Sequence, residues 1–130
     1  IVTGYPWDQI ATPEHAKFFN AYYQRYKDNP RLGSVVGYST FTAIFEALKK
    51  AKSTDTEKMI AAMRGLAWTT PFGPAVFRRI DHQSTMGAFV GKLDVRDGRG
   101  TMVDWRYADG AKFLPTDAEA ARRRPAEAQK

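Results

Sequence analysis

Residues 33–48 read GSVVGYSTFTAIFEAL, and the period of this stretch decides the fold class. Tyr38, Phe41, Ile44, Phe45 and Leu48 recur at helical steps. Ala43, Ala47 and Ala51 widen the apolar face, so the spacing predicts a helix from near Ser34 that is buried on more than one side. Lys49, Lys50 and Lys52 close it, where cations complement the helix dipole.

Upstream, Thr12, Pro13 and Glu14 combine an N-cap, a residue suited to the first helical position and an acid for the first turn. Phe19, Tyr22, Tyr23 and Tyr26 follow at helical spacing, and Asn29-Pro30 ends this first helix. Residues 1–7 read as a strand running into an irregular connection broken by Gly4 and Pro6. Downstream, Thr54 and Glu57 are placed as a capping box for a third helix with Met59, Ile60 and Met63 inside, and Gly65 suits the position just past its end. Beyond residue 67 the period changes to two. Ala75–Phe77 is a short strand, and Phe89–Arg96 and Val103–Tyr107 alternate around a hairpin loop, Asp97–Gly100. The tail, residues 116–130, lacks aromatics and large aliphatics and reads as disordered or a frayed helix, which leaves 1–115 as the folded segment.

The order is therefore α/β: one strand, three helices, then a small antiparallel β set. The helices carry more apolar face than so few strands cover. Either their partner surface lies in other residues, as for helices packed on a parallel sheet, or the helices cover one another in a compact α+β domain. The residues leave both open.

Composition bounds the chemistry. The chain has 130 residues, 43% of them apolar and 26% charged, with 8 Phe, 6 Tyr and 3 Trp. No apolar run approaches the ~20 residues of a membrane-spanning helix. Cysteine is absent, which excludes disulfides, thiol nucleophiles and Cys-based zinc sites. The net charge of +6 raises an alternative, a basic module for nucleic acid or another anionic partner. That charge is spread evenly, however, with 9 basic and 6 acidic residues in 1–65 and 11 and 8 in 66–130. Specific nucleic-acid binding is not expected.

No catalytic constellation emerges. Asp81-His82-Gln83 reads as a turn in which side chains bond local backbone, because a metal site needs three or four ligands and the chain has 2 His. His15, in the first turn of a helix, reads as solvated. Ser34, Ser39, Ser53 and Ser84 lack a nucleophile-elbow context, and no glycine-rich phosphate loop stands between a strand and a helix. The Tyr22, Tyr23, Tyr26 stripe reads as a core face whose hydroxyls reach solvent, and Arg78-Arg79 as charge on a strand edge. Neither an enzyme, a metal site nor a cofactor is expected.

A resemblance extends this reading. GSVVGYSTFTAIFEAL, then AKSTDTEKMIAAMRGLAWTTPFGPAVFRRIDHQ, then FVGKLDVRDGRGTMVDWRYADGAKFLP are similar, in order and spacing, to the closing segments of type I periplasmic solute-binding proteins of ABC transporters. The likeness runs from residue 1 to about 115. It implies the C-terminal portion of a two-lobe protein whose first two-thirds would precede Ile1. It also implies a periplasmic location, hinge closure around a small solute and docking on a membrane permease. The solute would be a branched-chain or other amino acid, or an aromatic carboxylate. Four residues fall at places the resemblance links to the cleft. Val35 stands where leucine-binding relatives carry a pocket aromatic, Tyr38 near a helix end that faces the cleft, and Tyr5 and Trp7 beside a crossover. A partial lobe would leave apolar helix faces open, so the isolated chain is expected to self-associate as a dimer or swapped assembly.

Overall fold

The computed structural model describes residues 1–124. Thr12 opens α1 (Pro13–Tyr26), its Oγ1 accepting the His15 backbone N–H at 3.2 Å. The helix closes on Lys27 in the left-handed region, so Asn29-Pro30 lies in the link rather than at the stop. The next helix, α2 (Leu32–Ala51), begins two residues before the expected Ser34. Ser34 Oγ accepts the Arg31 backbone N–H at 3.2 Å and so sits inside the first turn. The cap of α3 (Thr56–Met63) is Asp55, not Thr54: its carboxylate accepts the Lys58 N–H at 3.0 Å, and a charged acceptor makes the stronger cap bond. Gly65 follows with φ 69°, as a glycine past a helix end can.

All strand pairing is antiparallel. β1 (Val2–Gly4), β4 (Ala88–Arg96) and β5 (Arg99–Ala108) form one sheet in the order β1-β4-β5. β2 (Ala67–Thr70) and β3 (Gly73–Val76) form a second. β4 and β5 turn on Asp97-Gly98, both left-handed at φ 51° and 74°, the conformation a two-residue hairpin loop requires. β2 has no strong sequence signal; its Trp68 and Thr70 are buried while Ala67 and Thr69 are exposed. The tail departs from the expected disordered or frayed segment. α4 (Asp117–Arg123) is closed by a capping box between Thr116 and Glu119, and Ala120 is buried. Residues 125–130 lie outside the described residues.

The interior is organised on α2, which has two unlike sides. Val35, Ser39, Ala43 and Ala47, one turn apart, are its buried residues. Small side chains there let β2–β3 approach closely, and Ala43 packs with Trp68, Ala75, Phe77 and Met86. On the opposite side Phe41 is 64% and Phe45 58% exposed. The helices therefore do not cover one another as a self-contained α+β core would. The Tyr stripe of α1 departs from expectation in the same way, with Tyr23 and Tyr26 exposed.

Arg78 also departs from the strand-edge reading, through its pairing with Asp81. They lie in the turn after β3, both largely buried, with Arg78 Nε 3.1 Å from Asp81 Oδ1 and a second contact from Nη2 to Oδ2. Arg78 also donates to the Pro115 carbonyl, which ties this turn to the approach to α4. Asp81 Oδ1 accepts the Gln83 N–H at 3.1 Å, as expected of a local turn bond. The Arg78 hydrogen bond holds the Asp81 carboxyl below the usual carboxylate range.

Two outcomes follow from these contacts. Thr12 Oγ1 both caps α1 and donates to the Pro71 carbonyl at 3.1 Å, so Thr12→Ala should cost about 1–2 kcal/mol in urea unfolding, and Thr12→Ser should recover most of it. Because folding depresses the Asp81 titration, its stabilisation is present above the ordinary carboxylate value and lost as pH falls through the folded one. Asp81→Asn should therefore lower the melting temperature at pH 7, with the gap to wild type closing as pH falls below the ordinary carboxylate value. An unchanged gap would show that the ion pair contributes nothing.

Candidate ligand pocket at the amino-terminal end of α2

Of the four residues the sequence singles out, Tyr5 and Trp7 come together. They line a hollow of about 450 Å³ with Arg31 and Leu32 at the start of α2 and Arg99 and Gly100 at the start of β5. Three local features place them. β1 pairs with β4 and delivers the connection beside the hairpin. Gln9 then pins that connection to β5: its amide donates to the Met102 carbonyl at 2.9 Å, and its carbonyl accepts from Trp105 Nε1 at 2.8 Å. Trp7 stacks on Phe19 of α1 with ring centroids 5.6 Å apart and planes within 3°, which fixes the indole as a rigid wall.

Tyr5 is held from the other side. Its hydroxyl lies 2.6 Å from His15 Nε2, and its ring meets Phe72 in the β2–β3 turn at 5.7 Å. His15 is not solvated: at 2% exposed it is among the most buried polar residues. Its ring stacks on Phe19 and contacts Phe18. The sequence missed this because a first-turn position and one acidic neighbour say nothing of a tyrosine ten residues earlier. Burial lowers the His15 titration from its ordinary value, opposed by a hydrogen bond to the Ile10 backbone. Burial also raises the Tyr5 phenol well above its ordinary value.

The other two residues stand elsewhere. Val35 is completely buried on the inner side of α2. Tyr38, 41% exposed, packs on Phe18 at 4.9 Å. It lines a separate hollow of about 460 Å³ between α1 and α2, with Lys17, Tyr22, Arg25 and Tyr26.

Charge in the Tyr5–Trp7 hollow is asymmetric. Asp28 is its one carboxylate, already engaged by Arg31 at 3.4 Å and by the Asn29 N–H at 2.8 Å. Arg99 enters no ion pair among the described residues. The N-terminus of a 20-residue helix opens at Leu32, where first-turn amides and the positive dipole end favour an anion. An aromatic wall beside cations suits a small organic anion. The hydroxyl–base contact beside the hollow is that of Tyr5 with the buried His15, and no metal-binding cluster occurs among the described residues.

Comparisons with known proteins bear on the family and the fold. A family model described as periplasmic binding protein matches residues 1–101. No curated protein matches the chain. Among solved structures, an ABC-type branched-chain amino acid transporter from Rhodopseudomonas palustris CGA009 is 33% identical, with a TM-score of 0.67 over 79% of this chain and 29% of its own. A solute-binding protein of an ABC transporter from Rhodopseudomonas palustris BisB5, in complex with 3,4-dihydroxybenzoic acid, is 27% identical, with a TM-score of 0.67 over 77% of this chain and 28% of its own. A leucine-binding protein from Thermotoga maritima, 19% identical with a TM-score of 0.64 over 79% of this chain and 29% of its own, shares the fold. The chain thus spans under a third of the length of these relatives. With most of its residues matched by that family's model, and with a strand, three helices and antiparallel hairpins in the order the resemblance implies, the chain belongs to the periplasmic binding protein family.

Proposed function

We propose that this chain supplies one wall of the solute site of an ABC-transporter receptor, and that the solute is a small organic carboxylate. The observation that carries the reading is the hollow in which the positive end of α2, Arg31 and Arg99 face the aromatic wall of Tyr5 and Trp7. An anionic group is received at one end and an apolar body at the other. The solutes for which two solved relatives are named, a branched-chain amino acid and 3,4-dihydroxybenzoic acid, are both carboxylates. In the whole receptor the solute closes two lobes about a hinge, and the closed form docks on a membrane permease on the periplasmic side. The protein's contribution is binding and closure, without catalysis.

Val35 and Tyr38 enter this reading as supports. Val35 fixes α2 against the interior so that its first turn presents Leu32 and Arg31 to the hollow, and Tyr38 braces α1 through Phe18. The basic-module alternative draws on net charge alone.

Isothermal titration or chemical-shift titration of the chain with 4-hydroxybenzoate and with leucine tests the reading. One wall of a site should bind one of them saturably with about millimolar affinity, with little dependence on salt. Arg99→Ala should weaken that binding about tenfold. Absence of any saturable response, or a steep fall in oligonucleotide affinity with salt, would transfer the reading to the basic module.

The uncovered side of α2 makes a second outcome measurable. Phe41 and Phe45, with Tyr38 beside them, present a continuous apolar face. Sedimentation at micromolar concentration should give a dimer or swapped assembly, and Phe45→Asp should shift it toward monomer. A monodisperse wild-type monomer would overturn the expectation of self-association.

A further inference from the structure

Positive charge that is even along the sequence is gathered by the fold at one pole. The 20 residues of α2 span about 30 Å, and the Tyr5–Trp7 hollow lies at the N-terminal end. Lys50 is at the other end. Its Nζ lies 3.4 Å from the carbonyl oxygen of Arg64, the residue that closes α3. The next residue, Gly65, has the Arg79 side chain laid over it: a Cβ there would stand 3.1 Å from Arg79 Cγ and 3.3 Å from Nη1. His82 belongs to the same turn as Arg79. Burial lowers its titration, and Arg64 and Arg124 lie close enough to lower it further. Arg124 is anchored there by its bond to the Ile80 carbonyl. The ends of α2, α3 and α4 and the turn after β3 thus bring Lys50, Arg64, Arg79 and Arg124 into one cluster.

This charge exceeds what local structure asks for. A cation after a helix complements the dipole, which accounts for Lys50 and Arg64. Arg79 stands on no helix. The acid of its turn, Asp81, is engaged by Arg78. Lys50, Arg64 and Arg79 are exposed and enter no ion pair among the described residues. Long, exposed side chains from separate elements, held by no neighbouring carboxylate, do not define the outline of one small anion. They suit an extended anionic plane, where each cation within a Debye length strengthens binding about fivefold whatever its exact position.

We propose that this pole docks the protein on a membrane surface rich in anionic phospholipid. The solute hollow, at the far end of α2, stays clear of the bilayer. The proposal is independent of the solute-capture reading.

Cosedimentation of the chain with mixed phosphatidylglycerol–phosphatidylcholine vesicles, and with phosphatidylcholine alone, tests it. The chain should bind the anionic vesicles, lose them as salt rises, and ignore the neutral ones. Arg64→Ser combined with Arg79→Ser should weaken binding about twenty-fivefold. Lys17→Ser combined with Arg25→Ser removes the same charge from exposed positions of α1 that face the N-terminal half of α2, and should weaken it no more than about twofold. Equal losses from the two pairs would mean that net charge alone draws the chain to the vesicles and would overturn the proposal. So would binding to neutral vesicles, absence of binding to anionic ones, or binding to soluble polyglutamate as tight as to the vesicles, which would assign the pole to an acidic protein partner instead.

Discussion

The packing of this chain depends on one steric condition: β2–β3 must come close to α2. Val35, Ser39, Ala43 and Ala47 make that possible, because side chains at i and i+4 share a face and these four are small or slender. Ser39 Oγ is satisfied within its own helix by the Val35 carbonyl at 2.8 Å, so a polar residue sits on the stripe without needing a partner across it. Trp68 and Phe77, 4.5 Å apart, fill the space that the small stripe leaves. With α2 seated in this way, its first turn and the link before it come to lie beside the β1–α1 connection, and the hollow forms between them.

That seating also explains why α2 leaves its largest side chains outside. A helix has room for one close contact per face, and the chain spends the small face on its own hairpin. Phe41 and Phe45 are therefore turned away from the elements that cover α2 among the described residues. A helix exposed to water on one whole side would carry polar residues there. The pattern belongs to a helix sandwiched between two layers, and relatives more than twice as long as this chain have the residues for a second layer.

Much of the secondary structure was legible because it rests on local physics. Thr12-Pro13, Gly65 and Asp97-Gly98 each encode a backbone conformation within a few residues, and each stands where that conformation is needed. The Asp55 cap, the early start of α2 and α4 were harder to read. Two adjacent residues could cap α3, and the charge-rich sequence of α4 hides one buried alanine. The apolar breadth of α2 was legible, but burial on more than one side was expected, whereas Val35, Ser39, Ala43 and Ala47 face inward and Phe41 and Phe45 are exposed. Volume complementarity with Trp68 decides that, and periodicity carries no information about volume. For the candidate site the resemblance brought Tyr5 and Trp7 forward, and they do share a hollow. Arg31 and Arg99 were not singled out, and His15 was read as solvated. Contacts beyond the local sequence place two of them: the hairpin turn returns Arg99 to the connection, and α1 folds His15 back on Tyr5.

The site's polarity follows from how each end is built. The anionic end draws on solvated groups: Arg31 and Arg99 are exposed, so their attraction for a carboxylate is screened and yields breadth more than strength. The Tyr5 end is set by a histidine sealed among aromatic rings, where an unmade hydrogen bond is costly because water cannot replace it. The two ends also differ in how they answer substitution. Replacing an exposed arginine removes charge and leaves the packing in place, whereas a change at His15 loosens its contacts with Tyr5, Phe18 and Phe19 together, because one buried ring serves all three.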